Sequence, residues 1–148
     1  MGTHYQGSPA EVRALDALIK LVRCTASVQT RIAPEVREQG LTPGQFGLLE
    51  ALLHLGPLEP CDLGPKLLTS RPNVVLLVDQ LEERGFVRRR PVEGDRRRVR
   101  IELTPTGART ARSVFSRHLR AVVETFFALS AGEQEQLAAL CKRLGRRG

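Results

Sequence analysis

The sequence predicts a mainly α-helical protein with a small β hairpin, an α+β class, and three observations carry that reading. Apolar residues recur at helical spacing toward both ends of the chain. N-cap residues, first-turn prolines and terminal glycines divide the middle into short helices. Between Phe86 and Thr104 the apolar period changes to two, the period of a strand.

Taken in order, residues 1–8 read as a polar tail. From Ala10, the positions Val12, Leu15, Leu18/Ile19, Val22 and Ala26 mark one helical face, and Leu21, Cys24, Val28 and Ile32 widen it. A face that broad buries against more than one neighbour. Pro34 is expected to kink or interrupt this helix before Gly40 ends it. Thr42-Pro43 restarts a helix, which runs through Phe46, Leu48/Leu49 and Leu52/Leu53 to His54-Leu55-Gly56. Pro57–Pro60 connects to a short helix at about Cys61–Leu68, and Leu67-Leu68-Thr69-Ser70 is a tight link to the next. There Ser70 is the N-cap, Pro72 sits where a missing N–H does no harm, and Val75, Val78/Asp79 and Leu81 lead to a stop at Gly85. Two short helices so closely joined have the layout of a helix-turn-helix.

Phe86-Val87 then leads into Arg88-Arg89-Arg90, Pro91–Asp95 reads as a turn, and Val99, Ile101 and Leu103 alternate with Arg98, Arg100 and Glu102. With this hairpin appended, the predicted fold is a winged helix-turn-helix. Thr104-Pro105 opens a helix through Val114/Phe115, Leu119, Val122/Val123 and Phe126 to about Leu129, roughly 36 Å long at ~1.5 Å per residue. Ser130-Ala131-Gly132-Glu133 is a capping box, Leu137, Leu140/Cys141 and Leu144 stripe the last helix, and the tail ends Arg146-Arg147. At 148 residues the chain is expected to be one compact domain. Within it, residues 1–40 and 105–148 supply N- and C-terminal dimerisation helices around a winged segment at 41–104. Their apolar faces exceed what that segment can cover, which points to two-fold pairing with a second copy; the alternative is that they pack on one another in a monomer.

Charge narrows the partners. The net charge is +7, and of the 23 basic residues only Lys20, Lys66 and Lys142 are lysines. From Arg84 to Arg100 eight arginines face two acids, Glu93 and Asp95, and would repel one another unless a polyanion or solvent screens them. The planar guanidinium suits phosphate oxygens and guanine edges, and on a thin turn it can enter a minor groove. A charge run can also be only a solvated face; the hairpin directly after a capped helix favours nucleic-acid contact, and double-stranded DNA is the expected partner. An acidic membrane surface would also suit the basic balance, but no apolar run approaches the ~20 residues of a span. The N-terminus lacks the apolar centre of a signal peptide, so a cytoplasmic location is expected. Three distant cysteines make neither a disulfide framework nor a C-x-x-C site, and three scattered histidines make no metal constellation. No nucleophile–base–acid set or phosphate-cradling glycine loop is present, so no enzyme activity, metal or cofactor is expected.

Three stretches carry a resemblance to a known family: LTPGQFGLLEAL at Leu41–Leu52, LVDQLEERGFVRR at Leu77–Arg89 and GDRRRVRIELTPTG at Gly94–Gly107. The chain resembles the MarR family of bacterial transcription regulators from about Leu15 to Leu144; the last stretch is similar to its D-x-R wing followed by a strand and LTxxG. LGPLEPCDLGPKLLTS is similar to members that respond to hydroquinones and other small phenols. The resemblance implies a homodimer on a pseudo-palindromic operator, usually a repressor, released by a small anionic or phenolic ligand or by oxidation of a cysteine. It carries recognition-helix contacts to Ser70, Arg71, Asn73 and Val75, although the family often has a small residue, a glycine and a threonine where this chain has Arg71, Pro72 and Val75. It also makes Asp95 the residue that orients Arg97, which in the family enters the minor groove.

Taken singly, Arg96 and Arg97 are the expected groove contacts, against a reading in which Asp95 merely pairs with Arg97 at the surface. Asn73 can address adenine bidentately or only face solvent, and Arg71 suits a phosphate or guanine beside the helix N-terminus. Val75 can touch a thymine methyl but fits the core stripe somewhat better. Arg88–Arg90, Arg98 and Arg100 are expected to supply salt-dependent phosphate attraction. Cys24 and Cys61 are expected to behave as small buried hydrophobes. A thiol-based redox sensor remains an alternative, as does a sequence-indifferent architectural DNA binder. Arg23, His54 and His118 are candidates to line a cavity for a small aromatic or anionic effector, the other reading being ordinary surface placement.

Overall fold

The computed structural model describes residues 2–146; Met1 and the predicted tail residue Arg147 lie outside them, with Gly148. The order is α1 (Pro9–Arg37), α2 (Pro43–Leu55), α3 (Pro60–Leu67), α4 (Arg71–Glu83), β1 (Val87–Val92), β2 (Asp95–Leu103), α5 (Pro105–Phe126) and α6 (Ala131–Gly145). The mostly helical class with one antiparallel hairpin is as the sequence predicts. The chain forms two compact units, a winged unit (35–119) and a terminal unit built from both ends (2–34 with 120–146 among the described residues).

All the fully buried hydrophobic side chains among the described residues belong to the winged unit, from Val36 to Val114. Its α2 starts on a reciprocal capping box. The Thr42 hydroxyl accepts from the Gln45 N–H and the Gln45 carbonyl oxygen accepts from the Thr42 N–H. The Gln45 amide, buried, spends its donor on Gln80 of α4 at 3.0 Å. Along α4 the buried stripe is Val74, Leu77, Val78 and Leu81, spaced three and four apart. The hairpin pairs Val87 with Leu103 and Arg89 with Ile101, and its register slips between Pro91 and Val92. Gly94, at φ 82°, makes the tip possible. Leu58 adds a third, one-residue edge: it exchanges hydrogen bonds with Ile101 at 2.8 and 3.1 Å. At the base of the wing Thr104 joins everything. Its hydroxyl donates to the Gly85 carbonyl, its N–H donates to the Phe86 carbonyl, and its hydroxyl oxygen accepts from Gly107. A Cβ on Gly107 would stand 1.8 Å from the Phe86 carbonyl oxygen, so only glycine fits there.

The terminal unit is different. Both helix starts are well capped, Ser8 with Glu11 and Ser130 with Glu133, yet none of its described residues is buried within the chain. Leu18, Val22, Val123, Phe127, Leu140 and Leu144 are all exposed, Phe127 by 76%. Between α1 and the end of α5 lies an apolar cavity of about 280 Å³, lined by Val28, Phe126, Leu129 and Leu137 with Cys24 and Arg31.

Several expectations need correcting. Pro34 does not interrupt α1, which continues to Arg37; placed in the last turn, it forfeits a single backbone bond where little helix remains to be broken. Helix α5 stops at Phe126, three residues early, and the Leu129 N–H folds back onto the Phe126 carbonyl. Cys24 and Cys61 are exposed, not buried. Helix α3 is eight residues long and buries only Leu63 and Gly64, which leaves Cys61 outward; Cys24 sits in a unit that buries nothing.

Gly107→Ala is expected to destabilise the protein by about 1–3 kcal/mol or more, because the added methyl collides with backbone. Gly132→Ala, with open space around it, is the neutral or slightly stabilising control. Urea denaturation of both variants checks the contrast.

Candidate nucleic-acid interface

The N-terminal turn of α4 is presented outward. Ser70 caps it by accepting from the Asn73 N–H, and Arg71, Pro72 and Asn73 are all exposed. The Asn73 side-chain amide donates to the Thr69 hydroxyl at 2.8 Å, which fixes its plane and leaves its carbonyl oxygen and second N–H to the outside. Val75 is 42% exposed, so it does not belong to the core stripe. The core takes its neighbour Val74, since the stripe runs 74, 77, 78, 81 and position 75 lies one-quarter turn off it.

The arginines of the wing separate into two groups. Arg88 and Arg90 both hold Glu102, the first at 2.5 Å through Nε. Hairpin register explains this: Arg88 stands opposite Glu102, whereas Arg90 stands opposite Arg100 and leans diagonally away from that like charge. Arg89, on the other face, takes Asp79 and Glu82 of α4. Arg98 takes Glu59 at the start of α3. Arg84 donates to the Gly40 carbonyl and lies 4.8 Å over the Phe86 ring. Among the described residues Arg96, Arg97 and Arg100 make no ion pair, and all three are exposed. The expectation that the eight arginines wait on a polyanion or solvent is therefore corrected: carboxylates of the same unit neutralise four of them.

Asp95 orients Arg97, but through the backbone. Its Oδ1 accepts from the Arg97 main-chain N–H at 3.0 Å, an Asx-type turn, and no ion pair joins the two side chains. Both readings of that pair from sequence, a held guanidinium and a surface ion pair, give way to a fixed turn with a free guanidinium.

Electrostatics follows the pairing. The hydrogen bond from Arg88 holds the Glu102 carboxyl below the usual carboxylate range, against a smaller opposing desolvation. The hydrogen bond to Glu59 raises the Arg98 guanidinium further above its ordinary value. Glu59 and Glu102 are the functional residues that sequence reasoning missed. Glu102 was legible once register was assumed, since it alternates with the arginines; Glu59 was not, because its partner is 39 residues away.

The effector candidates are not brought together as one described site. His54 and His118 lie in the winged unit, His54 edge-on to Phe115 at 4.6 Å and His118 edge-on to Phe46 at 4.9 Å. The His118 Nδ1 is buried without a hydrogen-bond partner. His54 also lines an open groove of about 570 Å³ with Lys66, Leu67 and Gly47, which does not include His118. Arg23 belongs to the terminal unit. Among the described residues no group of histidine, cysteine and carboxylate side chains could hold a metal ion, and no helix is long and apolar enough to cross a membrane.

A capped helix with an exposed start, followed by an arginine-tipped hairpin, defines a winged helix-turn-helix regulator of transcription. Comparison with known proteins agrees. The MarR family model matches residues 41–99. The chain is 32% identical over 133 residues, 90% of its length and 86% of the relative's, to the uncharacterised HTH-type transcriptional regulator YkoM of Bacillus subtilis. Its fold matches two solved structures over the full length of each chain. One is BpsR of Bordetella bronchiseptica, whose DNA binding is regulated by 6-hydroxynicotinic acid (TM-score 0.79, 19% identity). The other is NadR in complex with 4-hydroxyphenylacetate (TM-score 0.75, 21% identity). The protein belongs to the MarR family.

Because Glu102 titrates lower in the folded state, the stability it contributes is present above the ordinary carboxylate range and is lost as pH falls through that range toward its depressed value. Glu102→Gln should therefore flatten the acid limb of the stability curve. Urea midpoints at pH 7 and below pH ~4.5 check this; an unchanged acid limb would refute the pairing.

Proposed function

We propose that this protein is a sequence-specific, DNA-binding repressor that acts as a homodimer on a pseudo-palindromic operator in the cytoplasm and is released by a small phenolic or anionic ligand. The observation that carries the reading is the pairing, in one compact unit, of an outward α4 start (Ser70, Arg71, Asn73, Val75) with a wing tip whose Arg96 and Arg97 have no carboxylate partner. Helix α4 enters the major groove, where Asn73 addresses a base, Arg71 a phosphate or guanine and Val75 a thymine methyl. The wing reaches the adjacent minor groove with Arg97 on the turn that Asp95 fixes. Arg88, Arg90 and Arg98, drawn onto carboxylates of the same unit, add little to that contact.

Dimerisation is supported by the terminal unit, whose apolar side chains find no burial within one chain. A second copy related by two-fold symmetry supplies the missing surface and doubles the half-site. For the effector, both fold neighbours described above bind or answer to hydroxylated aromatic acids. Within the winged unit, His54 and His118 are the candidate polar contacts for such a compound, the orphan His118 Nδ1 above all.

Selection of bound duplexes from a random pool tests the reading. An inverted repeat with half-site centres about 10 base pairs or a multiple apart is expected, and a pool that stays random overturns sequence-specific binding. On the selected duplex, Asn73→Ala should lose about 1–3 kcal/mol of discrimination at one position per half-site. Arg97→Ala should weaken binding while sedimentation still reports a dimer. An unchanged binding isotherm for Arg97→Ala removes it from the groove. Titration of the bound complex with 4-hydroxyphenylacetate and 6-hydroxynicotinic acid should release DNA with at least one of them, and indifference to both argues against this effector class.

A further inference from the structure

Resting on the DNA-binding reading, we propose that Glu59 is a positioning residue that withholds Arg98 from the DNA backbone, so that the wing meets DNA with Arg96, Arg97 and Arg100 alone. Arg98 is the neighbour of Arg97 and, from sequence, equally suited to phosphate. Its guanidinium instead forks onto one carboxylate, Nε reaching Glu59 Oε2 at 3.3 Å and Nη2 reaching Oε1. Glu59 occupies the N-cap of α3 yet makes no capping hydrogen bond with its side chain. A carboxylate at that place ordinarily serves the helix's own N–H groups; here it serves the wing. Its side chain is only 17% exposed, against 55% for Arg98.

The pair is also tethered. Leu58, the residue before Glu59, is hydrogen-bonded in both directions to Ile101 of β2. Antiparallel pairing at Leu58–Ile101 sets Glu59 beside Arg100 and diagonal to Arg98, on one side of the sheet. Glu59 therefore moves with the strand that carries its partner, and its local concentration at Arg98 is set by the fold. A DNA phosphate has to displace a carboxylate that cannot drift away. Among the described residues no carboxylate forms an ion pair with Arg97, and Asp95, two residues before it, is committed to the turn backbone.

The test measures DNA affinity of the full-length protein on the selected duplex between about 50 and 200 mM salt, where each phosphate contact contributes ~0.9 to the logarithmic slope. Thermal melts show that each variant is folded. Arg97→Gln should lower the slope by about one per protomer, whereas Arg98→Gln should leave slope and affinity within about twofold of the parent. Glu59→Gln should tighten binding and steepen the slope by about one per protomer, and the Glu59→Gln/Arg98→Gln double variant should return it to the parent value. Glu59→Asp, which keeps the charge, should stay close to the parent. If Arg98→Gln flattens the slope as much as Arg97→Gln does, Arg98 is itself a phosphate contact and the proposal fails while the DNA reading stands. If Glu59→Gln weakens binding, the pair is only a brace and the proposal fails again. If Arg97→Gln also leaves the slope untouched, the wing is not on DNA, and the functional reading falls together with the proposal.

Discussion

Arginines cannot be crowded onto a two-stranded hairpin without something to offset their repulsion, and in this protein four carboxylates of the same unit do so. Asp79 and Glu82 come from α4, Glu102 from the second strand and Glu59 from the start of α3. Each exposed pair is individually weak, worth on the order of 0.2–1 kcal/mol. Their importance is geometric: Arg89 ties the wing to the recognition helix and Arg98 ties it to the helix before. The neutralised base leaves a short cationic tip, Arg96 and Arg97 with Arg100 behind them.

The apolar side of the same hairpin carries the other half of the attachment. Val87 and Ile101 are buried and Phe86, Val99 and Leu103 pack against the core, so β2 is held from one face by hydrocarbon and from the other by ion pairs. The turn from wing to α5 depends on Gly107, where any side chain would meet the Phe86 carbonyl. Recognition helix, wing and the start of α5 are thereby one mechanical piece, and the burial of the described residues is confined to the winged unit that contains it.

Much of this was legible in the chain. Helix starts were, because capping uses local chemistry: Thr42, Ser70 and Ser130 all cap as their neighbours in sequence predict. The hairpin was, because alternation and a Gly94 turn are equally local. What escaped was set by distance or by rotation. Val74 and Val75 differ by one-quarter turn, and the sequence offers two valines with nothing to choose between them until the position of α2 is known. The partners of Arg89 and Arg98 are carboxylates that only folding brings near. Asp95 was correctly joined to Arg97, but whether a short carboxylate prefers a guanidinium or a backbone N–H is decided by turn geometry. Cys24 lies on an apolar stripe yet is exposed, because a stripe implies burial only where a neighbour exists to bury it.

That Asp95 grips the main chain of Arg97 and leaves its side chain alone has a consequence for how grooves are read. The fingertip's root is rigid while its four side-chain torsions stay unfrozen, so ordering it on DNA costs up to about 2 kcal/mol of rotamer entropy. In exchange, one guanidinium can settle into grooves of somewhat different width without bending the backbone that bears it. Such a hand is tolerant at its tip and strict at its palm.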